Sequence, residues 1–184
     1  MSERFDPRAL PVQAFCKATA TLSGAWPLAG MPRLLDSVQG VPGADDAVDW
    51  TADGSLRPVT GGDAEIWLHL QARATVTLQC QRCLQAMQQP LQVDRRFRFV
   101  RTEAQAEQLD EIAEDDVLVL APTLNLHELL EDELILALPI VPRHEEPCPV
   151  PLPMPVDDLP DDEPEPNPFA ALAALRTGRR NDPS

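Results

Sequence analysis

The strongest constraint on the fold is a run of alternating side chains that leads into a closely spaced cysteine pair. Aliphatic residues occupy every second position from Ile66 to Leu70, and residues 74–79 continue the alternation with β-branched side chains up to Cys80. A period of two is typical of a strand with one buried face. A further strand is predicted at 91–100. The pattern therefore predicts an antiparallel meander whose second and third strands are joined by a tight turn from Cys80 to Cys83.

One helix is predicted at 125–138, where helical periodicity replaces the alternation. Asn125 is in position to cap its N-terminus, Glu128 follows three residues later, and Pro139 ends it. Its apolar stripe comprises Leu126, Leu129, Leu130, Leu134 and Ala137. We expect the carboxylates at 131–133 to lie on the polar, solvated side.

The remaining elements are less sharply patterned. They are a strand at 12–23, a short helix at 31–38, a strand near 47–50, a solvated helix or loop at 103–116, and a buried strand at 117–120. The fold class is therefore α+β, with an antiparallel sheet covered by an amphipathic helix.

Proline content divides the chain into a domain and a tail. Residues 147–168 contain nine prolines and six acidic residues, a composition typical of disordered segments. We predict one α+β domain at 1–146, best defined over 65–146, and a disordered acidic tail at 147–184. A short amphipathic helix near the end of the tail is too short to be stable alone. Its candidate partner-binding residues are Phe169, Leu172 and Leu175.

Charge is distributed unevenly along the chain. Residues 1–102 contain 11 basic and 10 acidic residues, whereas residues 103–184 contain 4 and 20, which together give the net charge of −15. This balance excludes a generally basic nucleic-acid-binding surface. With no signal-peptide pattern and no apolar run near the roughly 20 residues of a membrane span, we expect a soluble cytoplasmic protein with reduced thiols.

The spacing of Cys80 and Cys83 is that of zinc knuckles, in which two thiolates of one turn bind the same ion. His144 and Cys148, after the predicted helix, can supply two further ligands. The four residues would form a closed structural zinc site that joins the base of the tail to the meander. Alternatively, the pair consists of ordinary half-buried thiols of a turn. A thioredoxin-like redox role is less favoured, because no βαβ unit surrounds the pair.

The densest basic segment is at 94–101. On a strand its residues alternate between two faces, with Arg95, Phe97, Phe99 and Arg101 on one and Arg96 and Arg98 on the other. Arginines beside aromatic rings can bind phosphates and stack on bases, so these four arginines and Arg82 are candidate RNA contacts. The interpretation we favour is a buried Phe face, with Arg96 and Arg98 on a solvated edge strand.

Three segments together resemble the bacterial YceD family of large ribosomal RNA subunit accumulation proteins. They are residues 76–84 with their C-x-R-C pattern, residues 129–144 with a helix ending in L-P-x-x-P, and residues 167–176. The resemblance implies a role in the synthesis, processing or stability of 23S rRNA in the bacterial cytoplasm. Family members often have a second cysteine pair after the helix, where this chain has His144 and Cys148.

The charge distribution and the resemblance together suggest a non-catalytic adaptor. The meander, through Arg82 and the arginines at 95–101, would contact pre-rRNA or a nascent large subunit. The acidic tail would bind a basic ribosomal protein, because complementary charge favours that encounter. Two alternatives are a thiol- or zinc-dependent redox-responsive interaction protein and an RNA-processing enzyme, although no nucleotide-binding or hydrolase motif is present.

Overall fold

The structure, a computed structural model, describes residues 5–110, 115–145 and 147–149. All of them belong to one unit, Met1–Pro151. The helices are α1 (Val12–Lys17), α2 (Pro32–Leu35), α3 (Glu103–Asp110) and α4 (Leu126–Leu136), and a 3-10 turn spans Leu28–Gly30. The strands are β1 (Thr21–Pro27), β2 (Ala47–Arg57), β3 (Glu65–Gln79), β4 (Ala86–Val100) and β5 (Asp116–Val119).

The strands form one sheet in the order β1-β2-β3-β4-β5. The first four are antiparallel to their neighbours, but β5 runs parallel to β4. The α+β class is confirmed, whereas the prediction of a purely antiparallel sheet is wrong. The sheet is mixed because α3 carries the chain back between β4 and β5, and such a crossover makes consecutive strands parallel.

The predicted meander contains fewer and longer strands than expected. Residues 65–70 and 74–79, predicted as two strands, belong to the single strand β3. The alternation continues through the intervening residues because Ala72 is buried on the same face as Leu70 and Ala74. The turn from Cys80 to Cys83 joins β3 to β4 as predicted, and β4 begins at Ala86 rather than residue 91.

The N-terminal segment departs most from expectation. Residues 12–23, predicted as a strand, contain helix α1 and only the beginning of β1. The buried residues of α1 are Val12, Phe15 and Cys16, which have the i, i+3, i+4 spacing of a helix face. The Phe15 ring packs over Gly54 of β2, where a Cβ atom would lie 2.7 Å from the ring, so this contact requires glycine.

Helix α4 confirms the clearest helix prediction. The Oδ1 atom of Asn125 accepts hydrogen bonds from the backbone N–H groups of His127 and Glu128, which caps the first turn. Leu126, Leu130 and Leu134 are fully buried in the core. Every helix in the described part of the chain is too short or too polar to cross a bilayer.

The carboxylates of α4 do not all lie on a solvated side, and this expectation is wrong. Glu131 and Glu133 are both buried, and only Asp132 between them is exposed. Glu131 accepts hydrogen bonds from the backbone N–H groups of Arg33 and Leu34 at 2.7 and 3.2 Å, and from Nε of Arg33 at 3.1 Å. Burial of this carboxylate is therefore compensated by donors of α2, which it joins to α4.

Apart from residues 147–149, the predicted tail and its terminal segment with Phe169, Leu172 and Leu175 lie outside the described residues.

We expect Glu131→Ala to lower the free energy of unfolding by about 2–4 kcal/mol, because it leaves two backbone donors and Nε of Arg33 without their acceptor. Glu128→Ala is the matched control, since Glu128 is exposed on the same helix, and it should change the value by less than about 0.5 kcal/mol. Urea unfolding followed by circular dichroism measures both. Equal small losses for the two variants would show that Glu131 does not hold α2 in place.

Candidate metal centre

The β3–β4 turn brings the thiols of Cys80 and Cys83 together at the end of the hairpin. Cys80 directly follows β3, and its backbone N–H donates to the carbonyl of Gln85 at 2.9 Å. The backbone N–H of Leu84 donates back to the Cys80 carbonyl at 2.9 Å, which closes a compact turn around Cys83. Leu84 adopts a left-handed conformation with φ of 60°, which reverses the chain into β4.

The segment after α4 returns to this turn. The backbone N–H of Gln81 donates to the carbonyl of Pro142 at 2.8 Å. This contact places Nδ1 of His144 3.4 Å from Sγ of Cys83, and Sγ of Cys148 4.0 Å from Sγ of Cys80. The structure thus brings together the four residues that the sequence analysis selected as metal ligands.

Cys80, Cys83, His144 and Cys148 form a Cys3His cluster whose ligand atoms all lie within 4.8 Å of one another. Cys80 is buried and the other three are half-buried. Ligands about 2.3 Å from a tetrahedral zinc ion lie about 3.8 Å apart, close to the observed separations. None of the four cysteines of the chain forms a disulfide bond. The donor set and its spacing are therefore compatible with zinc.

The backbone around the cluster favours negative charge on one sulfur. Burial opposes ionisation of Cys80, but the backbone N–H groups of Cys83, His144 and Arg82 donate to its sulfur, and its pKa is lowered to about 5. Burial and hydrogen bonding to the neighbouring sulfurs raise the pKa of Cys148 to about 11. The Cys80 thiolate is thus favoured at neutral pH, and a bound cation would favour loss of the proton of Cys148.

The fourth cysteine has a different role. Sγ of Cys16 donates to the backbone carbonyl of Trp67 at 3.1 Å within the core. Burial raises its pKa to about 11, so it remains a neutral thiol. Cys16, in α1, is a packing residue, and its partner Trp67 lies near the opposite end of β3 from Cys80.

The arginine segment at 94–101 alternates between faces as predicted, and Phe97 and Phe99 belong to the core. The expectation that Arg96 and Arg98 lie on an edge strand is wrong. At Arg98 the strand β4 has β3 on one side and β5 on the other, with Trp67 and Val117 as register partners.

Arg95, Arg98 and Arg101, all candidate RNA-binding residues, bind carboxylates. Their ion pairs are Arg95 with Asp116 at 2.7 Å and with Glu133 at 3.2 Å, Arg98 with Glu65 at 2.7 Å, and Arg101 with Asp63 at 2.9 Å. Arg96 lies in register with His69, which hydrogen-bonds Asp94 at 2.7 Å. Arg82 is exposed in the β3–β4 turn, about 30 Å along the hairpin from Arg95. The structure therefore does not gather these arginines into one basic surface.

Glu133 is an ion-pair partner of Arg95 that the sequence analysis missed, although its position on the helix indicated that it would be buried. Its position is seven residues after Leu126 and three after Leu130, which places it on the apolar face of α4. A carboxylate at a core position needs a cationic partner, and Arg95 of β4 supplies it from a half-exposed position. The contact between Gln81 and Pro142, by contrast, joins backbone atoms and has no signal in the sequence.

Known proteins that are similar to this chain match the same segments. A family model described as "Large ribosomal RNA subunit accumulation protein YceD" matches residues 68–176, which is 109 of the 184 residues. A Haemophilus influenzae protein of that name is 39% identical over 104 residues, which cover 55% of this chain and 60% of the relative. The chain thus spans about three fifths of the length of that curated relative. No solved structure gives a significant match.

We expect Arg95→Ala to lower the free energy of unfolding by about 1–3 kcal/mol at pH 7, because Glu133 and Asp116 would face each other without a cation. Arg96→Ala, an adjacent exposed arginine, should cost less than about 0.5 kcal/mol. Denaturant unfolding at several pH values measures both.

The penalty of Arg95→Ala should grow with pH. Burial raises the pKa of Glu133 from its ordinary value, partly offset by Arg95. A carboxyl with a raised folded-state pKa favours folding at low pH and loses that contribution as pH rises through the folded value. A penalty that is equal at pH 5 and pH 8 would contradict this assignment.

Proposed function

Because the chain belongs to the YceD family of large ribosomal RNA subunit accumulation proteins, we propose that it is a non-catalytic factor in large-subunit biogenesis that supports synthesis, processing or stability of 23S rRNA. The process is the accumulation of large ribosomal subunit RNA, and its site is the cytoplasm.

One observation supports this function most directly. The family match begins within β3 and continues beyond α4, so it covers both segments that meet at the Cys3His cluster. The described part of the match is thus a continuous three-dimensional unit: the long hairpin, the helix that packs on it, and the clip between them.

The proposed mechanism is that of an adaptor between pre-rRNA, or a nascent large subunit, and a basic ribosomal protein. Residues 103–184 carry the net charge of −16, which favours a cationic protein partner. The partner would be held by the acidic tail and by Phe169, Leu172 and Leu175, docked as a short helix. Arg82 and the arginines at 95–101 are the candidate RNA contacts, and Arg95, Arg98 and Arg101 would have to exchange a carboxylate partner for a phosphate.

In this proposal the Cys3His cluster binds a structural zinc ion. With four protein ligands the site is closed, so no coordination position is left for a substrate or a catalytic water. The ion would fix the segment that follows α4 against the β3–β4 turn. Its contribution is therefore to the shape of the surface that both segments form.

The second candidate is a redox-responsive interaction protein. The Sγ atoms of Cys80 and Cys148 are 4.0 Å apart without being bonded, and Cys80 has a lowered pKa. A peroxide could oxidise this pair to a disulfide in place of metal binding. Thiol labelling of the metal-free protein before and after hydrogen peroxide treatment tests this candidate. A disulfide would lower the number of labelled thiols after treatment, whereas a purely structural site needs its thiols reduced.

The proposed function predicts that cells lacking the protein have a lower ratio of 23S to 16S rRNA. A plasmid copy of the full chain should restore the ratio, a chain ending at residue 155 should restore it less, and a chain lacking only residues 177–184 should behave like the full chain. Total RNA resolved by capillary electrophoresis gives the ratio. An unchanged ratio in the deletion strain would overturn the function, and full restoration by the shorter chain would overturn the role of the tail.

The proposed zinc site predicts about one zinc ion per chain in the purified protein, measured by elemental analysis. Cys83→Ser should lose the metal, whereas Cys16→Ser, which changes a thiol outside the cluster, should retain it. Loss of zinc should also expose the amide of Gln81 to hydrogen exchange, because its bond to Pro142 depends on the clip. Metal-free protein with the same exchange protection would show that the clip forms without an ion.

A further inference from the structure

Strand β1 forms one edge of the sheet, and the outer side of its backbone has no neighbouring strand. The backbone N–H of Gly54 in β2 donates to the carbonyl of Ala20 at 2.9 Å. Hydrogen-bonded positions alternate along an antiparallel pair, so the even-numbered residues of β1 bond to β2 and the odd-numbered ones point away from it. Within the described residues, nothing hydrogen-bonds the outward backbone groups of Ser23 and Ala25. These groups can pair with a further strand.

This edge lacks the features that usually keep an edge strand from pairing, such as charged side chains, bulges and short length. β1 has seven residues, none of them charged, its pairing with β2 has no bulge, and its proline is at the last position. The opposite edge of the sheet is different. There, β5 has four residues and begins with Asp116, which is ion-paired with Arg95. An unprotected edge in so highly charged a protein favours strand addition by a partner.

The core-facing side chains of β1 indicate which residues an added strand would place beside them. Leu22 and Trp26 pack against the core but stay half-buried. The Trp26 ring is fixed, because it stacks on Trp50 with 4.4 Å between the centroids and lies 4.8 Å from the His127 ring. Apolar side chains on the same face of a new strand would cover the exposed parts of Leu22 and Trp26.

The charge of this part of the chain selects a cationic partner. Residues 18–56, which contain β1 and most of β2, have five Asp and a single basic residue, Arg33. The Arg33 guanidinium is already ion-paired with Glu131 and Asp132 of α4. The region around the edge therefore attracts basic side chains and repels a polyanion.

Asp49 is the carboxylate best placed to meet a basic side chain. It is exposed on β2, in register with Ala25, on the face of the sheet opposite the core. Arg73, its register partner on β3, is described in the structure but forms no ion pair with it. A strand added outside β1 would lie about 10 Å from β2. The small side chains of Ser23 and Ala25 would leave the space between open to a long lysine or arginine side chain.

We infer that the outer edge of β1 binds an extended segment of a basic protein, which joins the sheet as an additional strand. Apolar residues of this segment lie beside Leu22 and Trp26, and alternating lysine or arginine residues lie on the Asp49 face. It rests on the proposed function, because it gives the basic partner of the adaptor a site within the folded domain. A nucleic acid would meet the aspartates of this region, and a second copy of the chain would bring its own.

The probe is a fluorescent peptide as long as β1 in which valine and lysine alternate. A peptide of the same composition, with the valines and lysines in separate blocks, measures the general attraction of lysine to an acidic chain. Fluorescence anisotropy with the full-length protein should show tighter binding of the alternating peptide. Equal affinity for the two peptides would overturn the inference.

Ser23→Pro should weaken binding of the alternating peptide about tenfold, because it removes an outward N–H and puts the proline ring in the path of the added strand. The fold tolerates proline there, since this N–H is not bonded to β2. Asp49→Asn should weaken binding about two- to fivefold at low salt and not at high salt. Its charge-matched control is Glu107→Gln, on the exposed side of α3, which should leave the affinity as it is. Equal effects of the two charge variants would contradict the placement of the basic side chains.

Hydrogen exchange of single amides then locates the bound peptide. In the protein alone, the amides of Ser23 and Ala25 should exchange rapidly while that of Gly24, which bonds to β2, is protected. The alternating peptide should protect Ser23 and Ala25, and this result decides the test if Ser23→Pro lowers the melting temperature. Absence of added protection would overturn the inference. Protection in the protein alone that is lost on dilution would overturn it in favour of a second copy.

The inference and the proposed function can fail separately. All of these measurements are made on the purified protein and the peptides, whereas the proposed function is tested by the ratio of 23S to 16S rRNA in the deletion strain. A lower ratio without peptide protection at β1 would leave the function standing and remove this site. Peptide protection with an unchanged ratio would leave the site standing and remove the function.

Discussion

The long pairing of β3 with β4 is the contact on which the rest of the molecule depends. Fourteen residues of β3 are in register with β4, from Ile66 opposite Phe99 to Gln79 opposite Ala86. The core on one face of the sheet requires this register, because a shift by one residue would turn the buried side chains to solvent. The pairing also fixes the two ends of the hairpin, with the cysteine turn at one and the ion-paired arginines about 30 to 50 Å away towards the other.

Ion pairs and the Cys3His cluster join α4 and the segment after it to this hairpin in two places. Near the middle of α4, Glu133 meets Arg95 of β4 and Glu131 caps α2, so the helix is held by carboxylates as well as by leucines. Beyond its end, the chain returns to the turn through the bond between Gln81 and Pro142. The proline that ends the helix therefore serves the site, because it lets the chain leave the helix axis and bring His144 to Cys83.

The sequence was sufficient where a feature depends on local chemistry, and insufficient where it depends on tertiary partners. The cap at Asn125, the cysteine turn and the four members of the cluster could be predicted, since capping and metal binding impose residue types and spacings. The parallel β5 could not, because strand direction is decided by where α3 packs. Helix α1 was missed because apolar residues occupy every second position from Val12 to Leu22, so a period of two fits the segment as well as a helical period does. The burial of Glu131 and Glu133 was missed because a charged side chain is solvated unless a distant donor reaches it, here Arg33 or Arg95.

The distribution of charge limits where a polyanion can approach so acidic a chain. Arg95, Arg98 and Arg101 lie among carboxylates, so a phosphate would have to displace an existing partner at each of them. Residues 66–93 contain no Asp or Glu, so the basic side chains in that part of the hairpin are not opposed by acids of the same stretch. Most of the negative charge lies instead in residues 103–184, and its repulsion disfavours nonspecific coating by nucleic acid while it favours a cationic partner.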